Sequence, residues 1–150
     1  MNAQQYAELI KKHVLSCHFI EEKPRFPSHI EIQEGDLYWQ DTIDLQQNLC
    51  LTVMEQAFFD DNEMIERSFS YDLREIGTGK LLWRIDNHSR RQPVEAPCHV
   101  HSLPDDPPDS RTPLHSDSKR AIFPYAIHCI KNHFEGKPQD WEVPGNDDVS

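Results

Sequence analysis

The chain contains no run of apolar residues approaching the roughly 18–20 that a membrane-crossing helix needs. Its opening, Met1-Asn2-Ala3-Gln4-Gln5-Tyr6, has no basic stretch followed by an apolar one, so no secretory leader is expected and a cytoplasmic location is. Positive charge is scarce: 15 Lys and Arg stand against 26 Asp and Glu, a net charge of −11. Coating nucleic acid or anionic lipid through bulk charge is disfavoured, because such binding needs a cationic face. The four cysteines, Cys17, Cys50, Cys98 and Cys129, form no C-x-x-C pair and no disulfide framework, and they read as reduced thiols. No repeat is present, and glycines number five.

With 150 residues, 37% hydrophobic and 27% charged, the chain is the length of one domain with a modest core. We expect a single domain over residues 1–136 and an acidic, mobile tail over 137–150, where Trp141 is the one large apolar group. Tyr6, Leu9, Ile10, His13 and Val14 recur at helical spacing and predict an amphipathic N-terminal helix. Alternation then takes over. Ile30 and Ile32, the run Leu37-Tyr38-Trp39, and Leu49, Leu51 and Val53 read as successive strands. After the turn Asp60-Asp61-Asn62 come Ile65, Phe69, Tyr71 and Leu73 on one face with Arg67. Gly77-Thr78-Gly79 signals a hairpin into Leu81, Trp83 and Ile85. A second helix is predicted over residues 119–134, capped by Ser118 or Asp117, with Pro124 tolerable only in its first turn. The expected class is α+β, an antiparallel meander of about four to five strands with both helices packed on one face.

Chemistry concentrates in Trp83-Arg84-Ile85-Asp86-Asn87-His88 and Pro97-Cys98-His99-Val100-His101. In a strand, Arg84 and Asp86 share the face opposite Trp83 and Ile85, and a His-x-His pair puts both rings on one side. A guanidinium, a carboxylate and up to three imidazoles then gather at one edge of the sheet. Imidazole moves protons near neutral pH, and Arg grips phosphate. These are the parts of a metal-independent ribonuclease, and neither a cofactor nor a metal is expected. The window from Arg67 to Arg91 carries +3 within the acidic chain, which suits docking of a phosphate there through Arg84, Arg90 and Arg91. Each feature has a plainer reading: a same-face ion pair for Arg84 and Asp86, loop-bonded imidazoles for His88, His99 and His101, and solvated hairpin cations. Tyr71 and Trp83 read as core residues whose polar tips can border the site. A zinc site from Cys98, His99 or His101 with His88 or His115 has suitable ligand types but not the spacing of a known finger. Cys98 as a nucleophile lacks any oxyanion-hole signal nearby.

Tyr71, the run Leu81-Leu82-Trp83-Arg84-Ile85-Asp86-Asn87-His88 and Pro97-Cys98-His99-Val100-His101 together resemble the TumE-type toxins of bacterial toxin–antitoxin pairs, over residues 28–102. His88-Ser89-Arg90-Arg91 stands where that family usually has Ala-Pro-His-His, and Cys98 where a histidine is common. The resemblance implies a growth-inhibiting toxin with a cognate antitoxin as partner and RNA as the suspected target. Catalytic roles would fall to Arg84, Asp86, His88, His99 and His101, and substrate contacts to Tyr71, Arg84, Asn87, Arg90 and Arg91. The competing expectation is a non-catalytic protein-binding module using the same Arg/Asp/His surface.

Overall fold

The computed structural model describes residues 1–21, 29–87, 90–101, 112–117, 121–139 and 141. Helix α1 (Ala3–Ser16) leads into strands β1 (Ile30–Gln33), β2 (Asp36–Leu45), β3 (Leu49–Asp60), β4 (Glu63–Glu75) and β5 (Leu81–Asp86). Strands β6 (Gln92–Pro93), β7 (Pro97–His101) and β8 (Thr112–Asp117) follow, then helix α2 (Phe123–Phe134). The sheet is antiparallel throughout in the order β1-β2-β3-β4-β5-β7-β8, with β6 pairing the early part of β4. The α+β meander between two helices is as expected, but eight strands form among the described residues rather than four or five. The extra three come from the Pro- and His-rich stretch, where β7 pairs with β5 in spite of its low aliphatic content.

Turn chemistry explains the meander. Glu34 and Gly35, Gln47 and Asn48, and Asp61 and Asn62 all take positive φ, the left-handed pairs that join right-twisted strands through tight hairpins. Gly35, at φ +82°, sits where a side chain would be strained. At Phe58/Phe59 the β3–β4 register slips. That bulge leaves Ile65 exposed, at odds with its expected place on the buried face, and turns Met64 inward.

Helix α1 begins at a capping box, in which Asn2 accepts from the Gln5 amide and the Gln5 side chain accepts from the Asn2 amide. Its stripe of Tyr6, Ile10, His13 and Val14 is buried. Helix α2 starts later than expected, at Phe123. Pro124 stands in its first turn, where a missing N–H costs nothing, and Ile122 is the N-cap without a side-chain bond. Asp117 belongs to β8 instead, and Ser118 lies outside the described residues. Tyr6, Ile10, Trp39, Leu51, Tyr71, Trp83, Phe123 and Ile130 are among the side chains of one core under the inner face of the sheet. Near the end of α2, Gln139 donates to the Cys129 carbonyl at 2.7 Å and Trp141 lies edge-on to Trp83, centroids 6.3 Å apart.

One part of this core is polar. Glu55 of β3 and Arg67 of β4 both point inward and are fully buried. Arg67 Nε donates to Glu55 Oε2 at 2.8 Å, and Tyr6 Oη donates to the same oxygen at 2.6 Å. Tyr71 donates to Glu55 Oε1 and accepts from Arg67 Nη2. Arg67 Nη1 reaches the Ala121 carbonyl at 2.8 Å, and the Phe123 amide donates to Tyr6 Oη at 3.2 Å. The guanidinium lies 3.7 Å from the Phe69 ring centroid. Burial, reinforced by the Glu55 charge, raises the pKa of Tyr6. Burial likewise raises that of Tyr71, with Arg67 opposing it, so both hydroxyls stay protonated as donors. Burial alone would lower the pKa of Arg67, but Glu55 and the two tyrosines outweigh it and raise it.

Removing one partner strands a buried charge, so Arg67→Leu is expected to cost about 3–5 kcal/mol. The urea midpoint measures this, and a loss under 1 kcal/mol would contradict the account. Against α2, His13 is held neutral, its pKa lowered from 6.5 by burial first and by Lys12 and Lys131 after it. The unfolded chain therefore binds a proton that the folded chain resists, and stability falls as pH drops through 6.5 toward the lower folded value. His13→Gln should flatten the difference between urea midpoints measured at pH 7.5 and 5.5.

Candidate functional site

On the outer face of the sheet, opposite the helices, the paired strands bring the candidate residues together. Arg84 of β5 is the direct cross-strand partner of His101 on β7, and Asp86 is the partner of His99. On the other side Arg84 faces Asp72 of β4, and Asp86 faces Ser70. Side chains directly opposite in an antiparallel pair have Cβ atoms about 5 Å apart, so the two rows form one patch. His101 Nε2 lies 4.0 Å from Asp86 Oδ2, the diagonal neighbour, with the two side chains 14% and 10% exposed. His99 is half-buried. A guanidinium, a carboxylate and two imidazoles therefore share a partly open surface.

The sequence reading missed Asp72. Both its oxygens engage Arg84, Nε to Oδ1 at 2.8 Å and Nη2 to Oδ2 at 2.9 Å. Ser70 Oγ donates to Oδ1 at 2.9 Å, and Arg74 Nη2 to Oδ2 at 3.2 Å. This fork holds the Arg84 guanidinium in one orientation and leaves its Nη1 without a partner among the described residues. The hydrogen bonds that Arg84 donates to Asp72 raise its pKa, against its partial burial, and the charges of Asp72 and Asp86 add to the effect. The signal was available: with the hairpin at Gly77-Thr78-Gly79, Asp72 falls on the outer face opposite Arg84.

The other candidates divide. Asn87 is fully buried and bridges strands, accepting from the Phe69 amide at 3.0 Å and donating to the Arg67 carbonyl at 2.9 Å. Tyr71 turns inward, and its hydroxyl is committed to Glu55 and Arg67. Arg91 lies at the far end of β4, paired with both oxygens of Glu66 and stacked 3.7 Å from the Phe58 centroid. Arg90 is exposed. The basic window is thus mostly neutralised: Arg67 is inside the core, Arg74 and Arg84 share Asp72, and Arg91 holds Glu66. His88 and His115 cannot be placed with the others, since His88 and the side chain of His115 lie outside the described residues. Cys98 is buried in the core, on the face opposite His99 and His101. Among the described residues, no three His, Cys, Asp or Glu side chains are grouped as metal ligands, and no helix is long and apolar enough to cross a membrane.

Asn87→Ala is expected to cost about 1–3 kcal/mol of stability, because it orphans a buried amide and a buried carbonyl. Thermal and urea unfolding measure the loss. Unchanged stability would contradict the bridging role of its side chain.

The family model for Toxin TumE matches residues 8–132. No curated protein and no solved structure matches the chain.

Proposed function

The chain belongs to the TumE toxin family, and from that premise we propose that it arrests growth by cleaving RNA without a metal. The observation that carries this reading is the register that sets Arg84 against His101 and Asp86 against His99 on one outer face. One imidazole, His99 or His101, takes the proton from a ribose 2′-hydroxyl. The 2′-oxygen attacks the phosphorus, forming a 2′,3′-cyclic phosphate, and the other imidazole, protonated, gives its proton to the departing 5′-oxygen. Asp86, with Oδ2 4.0 Å from His101 Nε2, orients that ring. Arg84, fixed by Asp72 through Nε and Nη2, offers Nη1 to a phosphate oxygen as charge accumulates. His88 remains a candidate third imidazole, and Arg90 and Arg91 remain candidate contacts to flanking phosphates. A cognate antitoxin is the expected partner, encoded beside the toxin.

The second reading is a non-catalytic module that grips a protein with the same surface. It is favoured by the Asp72 carboxylate, which already fills two of the Arg84 donor positions.

His101→Ala and Arg84→Ala should each relieve growth arrest on expression and lower RNA cleavage by about 10²–10⁴-fold, with unchanged circular dichroism. Full toxicity in both variants would overturn the assignment. Cleavage of total RNA by the purified protein should survive a chelator. Loss of cleavage with chelator would move the chemistry to a metal, and no cleavage at all would favour the binding module.

A further inference from the structure

At the β1–β2–β3 end of the same outer face lies a depression of about 500 Å³ lined by His29, Glu31, Tyr38, Gln40, Met54 and Gln56. Its walls follow from the register, in which Glu31 pairs with Tyr38, Tyr38 with Gln56 and Gln40 with Met54. The Tyr38 ring is braced edge-on by Phe58, centroids 6.2 Å apart, and Phe58 in turn carries the Arg91 guanidinium. An aromatic plane thus stands beside amide and carboxylate groups, with a cation behind it. The depression also lies in one cross-strand row with the Arg/Asp/His patch. Gln40, Met54, Ser70, Asp86 and His99 are successive cross-strand partners on five adjacent strands. From β2 to β5 is three strand spacings, about 14 Å, a span that a short run of unstacked nucleotides bridges.

We propose that this depression is a nucleobase subsite for single-stranded RNA, with Tyr38 as stacking platform and Gln40, Gln56 and Glu31 reading the base edge. The proposal rests on the RNA reading of the neighbouring patch and adds to it where the substrate is held. Every base has a π-face, so stacking supplies affinity in a chain of net charge −11 where phosphate attraction is weak. Selectivity comes from the edge groups. A carboxylate only accepts, and guanine presents adjacent N1–H and N2–H donors, so Glu31 favours guanine over uracil.

The test uses the full chain and 2′-O-methyl uridine hexamers with and without one central 2′-O-methyl guanosine. These cannot be cleaved, because the attacking hydroxyl is blocked. Fluorescence anisotropy should show tighter binding of the guanosine-containing hexamer. Tyr38→Ala should weaken binding about tenfold, Tyr38→Phe should restore it, and Glu31→Gln should erase the guanosine preference. If Tyr38→Ala does not fold, Gln40→Ala, whose side chain is exposed, should weaken binding of the guanosine-containing hexamer several-fold. Wild-type affinity in Tyr38→Ala, or in Gln40→Ala where that variant replaces it, together with RNA cleavage by the wild-type protein, would overturn the subsite and leave the RNA reading standing. No binding and no cleavage by the wild-type protein would overturn both. Loss of antitoxin co-purification in Tyr38→Ala, with RNA binding intact, would reassign the depression to a protein contact.

Discussion

A buried carboxylate and guanidinium hold this molecule together. Glu55 and Arg67 face each other inside the core, and two tyrosine hydroxyls, a backbone carbonyl and the faces of Phe69 and Tyr71 belong to their shell. Burying either charge alone would be prohibitive, so each requires the other and both require the tyrosines. Their partners come from α1, β3, β4 and the start of α2. The network therefore specifies how both helices seat on the sheet, which an apolar core of the same volume would define less sharply. The arrangement is self-consistent in protonation as well: burial keeps Tyr6 and Tyr71 protonated, and the opposed charges keep Arg67 cationic.

Burying the inner face in this way frees the outer one. Both helices lie against the same side, so the opposite face of β4, β5 and β7 carries polar side chains without the demands of core packing. There the same pairing principle recurs in a wetter setting. Asp72 orients Arg84, much as Glu55 anchors Arg67, but Arg84 is about a third exposed and keeps one nitrogen uncommitted among the described residues. A charge that is fixed yet reachable suits recognition of an anion. A charge sealed on all sides suits architecture.

The alternation of Leu49, Leu51 and Val53, the turn at Asp60-Asp61-Asn62 and the helical stripe beginning at Tyr6 each report a local conformation, and each element formed as read. Ile65 departed because a bulge moves one residue off its face, and alternation counts cannot register an inserted residue. The extended geometry of the His99 and His101 pair was legible, but not which strand it would join. Strand β7 formed because the β5 edge offered unpaired backbone groups, a long-range demand with no local signature. Asn87 was legible as part of a motif but not as a bridge, since its partners, the Phe69 amide and the Arg67 carbonyl, are remote in sequence.

Local order thus made legible which residues alternate, where the chain turns, and that Arg84 shares a face with Asp86 and His99 with His101. Those are properties of neighbours along a backbone with fixed periodicity. Tertiary structure decided which distant residues meet: Arg84 with Asp72 and His101, Glu55 with Arg67 and Tyr6, and the depression at Tyr38 in line with the histidines. Strand register sets those contacts, and register is chosen by the whole sheet closing over its core, not by any one segment.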